Sequence, residues 1–261
     1  MTINEKTSTD GMAAGVERGE QTMATSEKES KRKITAPKLI RWTGLAALAA
    51  GLIFAGIQPL HPPDVVASVT TGEWAIITPL KTAMCLLLLI GITGIYARQV
   101  NEAGWLGLAG FLVLIVCWWI QTAFVFAEAF IAPPLASTAP GFVDGLLGIS
   151  YGHTGGTDLG ALPAIYSLGV GIPYMLGGLL FGIATLRARV LPRWPAGLLA
   201  VAALLTPAAA LLPHAVQRLA AIPVALAIAW LGYALLTERR ARASEPAPGT
   251  GSPRLRQTAA E

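Results

Sequence analysis

Lys81 and Glu128 each interrupt a long apolar stretch of this 261-residue chain. An ionised side chain at the centre of a membrane-length segment costs about 2.5–3.5 kcal/mol on insertion scales, so such residues normally find a partner or carry a function. Gln121 lies seven residues before Glu128 and shares its face on a helix. An ammonium, a carboxylate and an amide on neighbouring helices could line a polar pocket for a small ligand, or handle a proton. The plainer alternatives are a structural ion pair, or a Lys81 side chain that reaches back to the interface. A second set is His61, His153 and His214, accompanied by Asp64, Glu73, Asp144 and Asp158. Imidazoles with carboxylates suit zinc or another divalent metal. No HxxxH, HExxH or CxxC spacing supports that reading, and His61 and His214 both adjoin prolines at helix ends. No nucleophile elbow, phosphate-binding loop or dinucleotide fingerprint is present. The first expectation is therefore a non-enzymatic binding or sensing protein without a cofactor, with Glu128, Lys81 and Gln121 as the candidate binding residues; the alternatives are a small transporter or transporter subunit, and a membrane enzyme or metal protein that uses the three histidines.

The elements that position these residues are apolar helices. The chain is 54% hydrophobic and only 13% charged, where soluble domains carry roughly 25% charged residues. Between Gly104 and Ala127 there is no formal charge, and a bilayer crossing needs roughly 20 apolar residues. The net charge of +4 does not point to nucleic acid, because the basic residues sit beside apolar runs. The expected partner is a lipid bilayer. Cys85 and Cys117 fall inside apolar runs and read as small buried residues.

Six spans are expected, at about Leu39–Leu60, Trp74–Tyr96, Gly104–Pro134, Leu162–Leu186, Pro195–Leu212 and Leu219–Leu236. Residues 1–37 and 238–261 are polar and read as disordered tails around a membrane domain of residues 38–237. The fold class is thus an all-α polytopic bundle. Lys and Arg cluster in the N-terminal tail, around Arg98, at Arg187–Arg193 and at Arg239–Arg242, whereas the intervening loops hold only Arg218. By the positive-inside rule both termini are expected to be cytoplasmic, and the abundance of Ala, Gly, Pro and Arg suggests a bacterial cytoplasmic membrane. Trp42, Trp105 and Trp194 then mark the inner interface and Trp74 the outer one. On this topology Lys81 lies roughly 12 Å and Glu128 roughly 9 Å below the outer surface, at 1.5 Å per residue, so the two could pair. All three histidines fall on the outer side.

The loop from Pro133 to Gly160 is turn-rich, with the apolar patch Phe142–Ile149 as a short interfacial helix. Gly178 and Gly182 form a GxxxG pair of the kind that lets helices approach closely. Pro173 and Pro207 are candidate kinks. The odd-numbered spans open alike, with Arg41-Trp42, Gly104-Trp105 and Arg193-Trp194, which is compatible with three related helical hairpins. The segments HPPDVVASVTTGEWAI, GITGIYARQVNEAGWLGLAGF and RARVLPRWPAGLLAV resemble those of uncharacterised multi-pass membrane proteins of actinobacteria. The resemblance covers the membrane domain and implies no activity, cofactor or catalytic residue.

Overall fold

A computed structural model describes residues 35–206 and 217–243, with side chains through residue 237. Among the described residues every regular element is helical. Residues 35–39 supply only the first turn of α1 (Ala36–Ile57), where the Leu39 N–H donates to the Thr35 carbonyl at 3.0 Å. The rest of the membrane body begins at Ile40. It continues with α2 (Gly72–Arg98), α3 (Val100–Phe126), a π-helical turn (Ala127–Ile131) and α4 (Ala132–Leu135). Then come α5 (Pro140–Gly148), α6 (Leu162–Tyr166), a second π-helical turn (Ser167–Gly171), α7 (Ile172–Ala188), α8 (Arg193–Leu205) and α9 (Ile222–Ala243).

Among the described residues, five runs are long and apolar enough to cross a membrane: Ala36–Ile57, Gly72–Arg98, Val100–Leu135, Leu162–Ala188 and Arg218–Thr237. Their outward surfaces are covered with large apolar side chains, among them Leu52, Ile76, Trp119 and Leu168. Such a coat is untenable in water, where exposed apolar patches of this extent are rare. In hydrocarbon it is the expected surface. The protein is a multi-pass membrane protein on these grounds.

The expected fifth span is shorter where it is described. α8 has 13 residues, and residues 207–216, with Pro207 and His214, lie outside the described residues. The anticipated loop around Arg98 contracts to Gln99 alone, and the helix resumes at Val100 rather than Gly104. Gly104 instead marks a kink, with φ +58, a conformation that a side-chain-bearing residue adopts only at a cost. At the C-terminal end α9 runs on to Ala243, past the expected boundary at residue 237.

Backbone contact holds the bundle together. A Cβ at Gly110 would lie 2.5 Å from the Phe181 nitrogen, so α3 and α7 touch through their main chains. The GxxxG pair faces α8, since Cβ atoms at Gly178 and Gly182 would stand 2.4 Å and 2.7 Å from Ala203 and Ala200. Lipid provides no hydrophobic drive between helices, and close packing of small residues supplies the attraction instead. The main core gathers Phe54, Leu88, Ile92, Trp118, Phe181, Ile228 and Leu231. A smaller one, with Trp74, Phe124, Val143, Leu146, Leu147 and Ile149, seats α5 as a cap on one end of the bundle. The Phe142–Ile149 patch is therefore helical, as its sequence suggested, and its apolar side faces protein. Cys85 and Cys117 are buried free thiols.

Candidate functional site

The site lies under that cap and is built from α2 outward. The Thr71 hydroxyl oxygen caps α2 by accepting from the Trp74 N–H at 3.3 Å. Trp74 and Lys81, seven residues apart, then share one face of the helix. Between them the Thr78 hydroxyl donates to the Trp74 carbonyl at 2.7 Å.

Opposite this face, proline shapes the end of the third span. The Ala132 N–H donates to the Ala127 carbonyl, five residues back, which makes the turn π-helical. Pro133, five residues beyond Glu128, has no N–H to give. The Glu128 carbonyl is thus left without an intrahelical donor. Trp74 satisfies it, with Nε1–H donating at 3.0 Å. Trp74 is fully buried for this purpose, with 0% of its surface exposed. This corrects its expected place in the outer aromatic belt: the indole is drawn inward by an orphan carbonyl that only a buried donor can reach.

The same helix face holds the Glu128 side chain. Lys81 Nζ donates to Glu128 Oε2 at 2.5 Å, with the two side chains 17% and 15% exposed. Glu128 is therefore gripped by α2 through both its carbonyl and its carboxylate. Lys81 Nζ also stands 3.3 Å from His61 Nε2. An ammonium can only donate, so Nε2 accepts. His61 Nδ1 then carries the ring proton and donates to the Pro62 carbonyl at 2.7 Å. The imidazole is neutral in this arrangement, and Trp74 packs edge-on against it with centroids 5.7 Å apart. Burial, then the Lys81 ammonium and Arg218 guanidinium, push the His61 pKa down to about 4, against the pull of the Pro62 carbonyl and Asp64.

Asp64 extends the network. It lies 3.9 Å from His61 Nδ1, accepts from Arg218 Nη2, and accepts from the Tyr151 hydroxyl at 3.2 Å. Burial and the Asp64 carboxylate both push the Tyr151 phenol up, so it remains a protonated donor. Two cations, two carboxylates and a neutral imidazole thus form one charge-balanced chain, Glu128–Lys81–His61–Asp64–Arg218. It ties together the loop before α2, α2 itself, the first π-helical turn, the segment after α5 and the start of the last span.

Of the candidate residues, Lys81 and Glu128 meet. Gln121 takes no part in the network's hydrogen bonds, and its buried Oε1 has no partner. Of the metal candidates, His61 joins the network, while His153 Nε2 sits 2.7 Å from Asp144 in an exposed pair. His214 lies outside the described residues. No group of three or more metal-ligating side chains forms among the described residues. Tyr151, Arg218 and Trp74 were not foreseen as members of the site, and Asp64 was expected only as a companion of the histidines. The rigid His61-Pro62-Pro63-Asp64 sequence was the available signal, since two prolines fix a short polar loop against a helix end. Comparison with known protein families, curated proteins and solved structures finds no match for this chain.

Proposed function

We propose that this is a non-enzymatic protein of a bacterial cytoplasmic membrane that binds or senses a small polar or ionic species through its outward end. It crosses the membrane six times, with both termini cytoplasmic, and shares its architecture with the actinobacterial multi-pass proteins that its sequence resembles. The observation that carries the reading is the position of His61, a neutral imidazole lodged between two ion pairs and in contact with one partner of each. A proton or ligand that engages any one member must rearrange the others, because each charge has a single principal counter-charge and little water around it. The π-helical turn at Glu128 supports the reading, since such turns concentrate at functional positions.

The test separates response from stability. Replacing a buried ion pair with apolar residues of similar volume is often neutral or stabilising, so Lys81→Met/Glu128→Leu should fold. Thermal shifts of the purified full chain in detergent, screened against pH, inorganic ions and small carboxylates or amines, should show a response in the parent that the double variant lacks. A double variant that folds and keeps every response of the parent would falsify the reading. Orientation has its own test. A cysteine at Ser137 should react with a membrane-impermeant thiol reagent in intact cells, and a cytoplasm-dependent fluorescent reporter fused after Glu261 should light up.

A small transporter, or a transporter subunit, is the second reading. It is favoured by the second π-helical turn, Ser167–Gly171, whose Val170 carbonyl lies 3.6 Å from the Cys117 thiol on α3. Two irregular turns in neighbouring spans supply carbonyls of the kind that line transport sites. Uptake or release measured in reconstituted vesicles distinguishes it.

A further inference from the structure

The opposite end of the bundle carries cations with no counter-charge. Arg187, Arg189 and Arg193 fall within seven residues of sequence, and all three are exposed. None of their side chains forms an ion pair or hydrogen bond among the described residues. The segment from Arg187 to Trp194 contains no acidic residue. Arg189 ends α7 in the left-handed conformation, with φ 55, where glycine is the usual occupant. The chain tolerates that strain while keeping an arginine at the turn.

Two indoles flank the arginines. Trp105 and Trp194 are the most exposed large apolar side chains among the described residues, at 85% and 82%. They are brought to one end of the bundle by packing at the helix joints. Gln99, just before α3, donates through Nε2 to Thr185 Oγ1 on α7 at 2.7 Å. A Cβ at Gly107 would lie 3.6 Å from that of Ala184. The opening of α3 therefore runs beside the end of α7, and α8 starts directly after it. Indoles beside arginines match the headgroup zone of a bilayer, where an apolar ring and a polar N–H are both accommodated.

We propose that the turn from Arg187 to Trp194, with Trp105, is a docking surface for anionic phospholipid, whose headgroup phosphates engage the three arginines while the indoles seat among the headgroups. The inference is independent of the charge network at the other end. It is also independent of which end faces the cytoplasm, because both ends are reachable in micelles.

The full chain in neutral detergent is titrated with brominated phosphatidylglycerol and, separately, brominated phosphatidylcholine, and tryptophan quenching is followed. At about 1 kcal/mol per basic residue near an anionic surface, each arginine contributes roughly 5-fold. A preference for phosphatidylglycerol on the order of 100-fold is expected from three of them, and it should shrink at high salt. Arg187→Gln/Arg189→Gln/Arg193→Gln should bring the two lipids close to parity. If that variant does not fold, Arg193→Gln alone should lower the preference about 5-fold. Equal quenching by both lipids in the parent, or a preference unchanged in the folded variant, overturns the proposal. So does inorganic phosphate that competes away the phosphatidylglycerol signal at concentrations matching the lipid, because the ligand would then be free phosphate.

Discussion

The two ends of this bundle treat positive charge in opposite ways. At one end Lys81 and Arg218 are enclosed beneath α5 and matched to Glu128 and Asp64. At the other, Arg187, Arg189 and Arg193 stand in the open without a carboxylate. The difference follows from what each environment offers. Beneath the cap there is little water, so a cation persists only where the protein supplies its counter-charge. At the open end water and headgroups solvate the guanidinium, and the protein need supply nothing. Similar residue types thus serve as internal ties at one end and as external contacts at the other.

The sharpest way to break this contrast is to remove one half of the enclosed pair. Lys81→Met leaves a carboxylate without its cation and should cost about 3–5 kcal/mol, read as a large fall in melting temperature in detergent. Adding Glu128→Leu to it should recover most of the loss. If Lys81→Met melts with the parent, the pair is not an internal tie and the contrast between the ends disappears.

Acid should act next. The His61 pKa lies at about 4 in the folded protein against an ordinary 6.5, so the unfolded chain binds more protons between those values. Stability should therefore be complete above about pH 6.5 and fall as the pH is lowered toward 4, by about 3 kcal/mol at most. His61→Gln retains an acceptor for Lys81 and cannot titrate, so it should flatten this part of the pH profile. An unchanged slope in that variant would assign the acid sensitivity to another group.

Trp74→Phe is subtler. It keeps the ring packing but strands the Glu128 carbonyl, at a cost of about 1–3 kcal/mol. The smallest effect belongs to the other end. Without lipid, Arg187→Gln, Arg189→Gln and Arg193→Gln should each stay within about 0.5 kcal/mol of the parent. A large destabilisation in plain detergent would mean that these arginines are also internal ties.

The apolar runs, the all-helical class and the meeting of Lys81 with Glu128 were all legible in residue order, because each depends on local hydropathy and on helical rise. The close packing of Gly178 and Gly182 was legible for the same reason. The rest of the site depends on long-range placement. Asp64 and Arg218 meet across 154 residues, and no periodicity connects them. Trp74 looked like an interfacial indole because its burial is dictated by a carbonyl that Pro133 frees on a different span. Gln121 was assigned to the Glu128 face by seven-residue arithmetic, and that arithmetic presumes a helix of one pitch. The helix is regular from Gln121 to Phe126, but residues that share a face seven positions apart stand about 10 Å from each other along the axis, beyond hydrogen-bond reach.

That turn amounts to one surplus residue stored inside a continuous helix. Everything from Ala132 onward is rotated by about 100° from where an uninterrupted helix would place it. The third span is consequently two helical segments, each with its own phase. Removing a single residue between Ala129 and Ile131 would let the two segments fuse into one and turn the face that follows away from the cap, while Pro133, then four residues beyond Glu128, would still leave that carbonyl open. The length of this stretch, counted to the residue, is therefore part of the site in the same sense as the side chains that meet there.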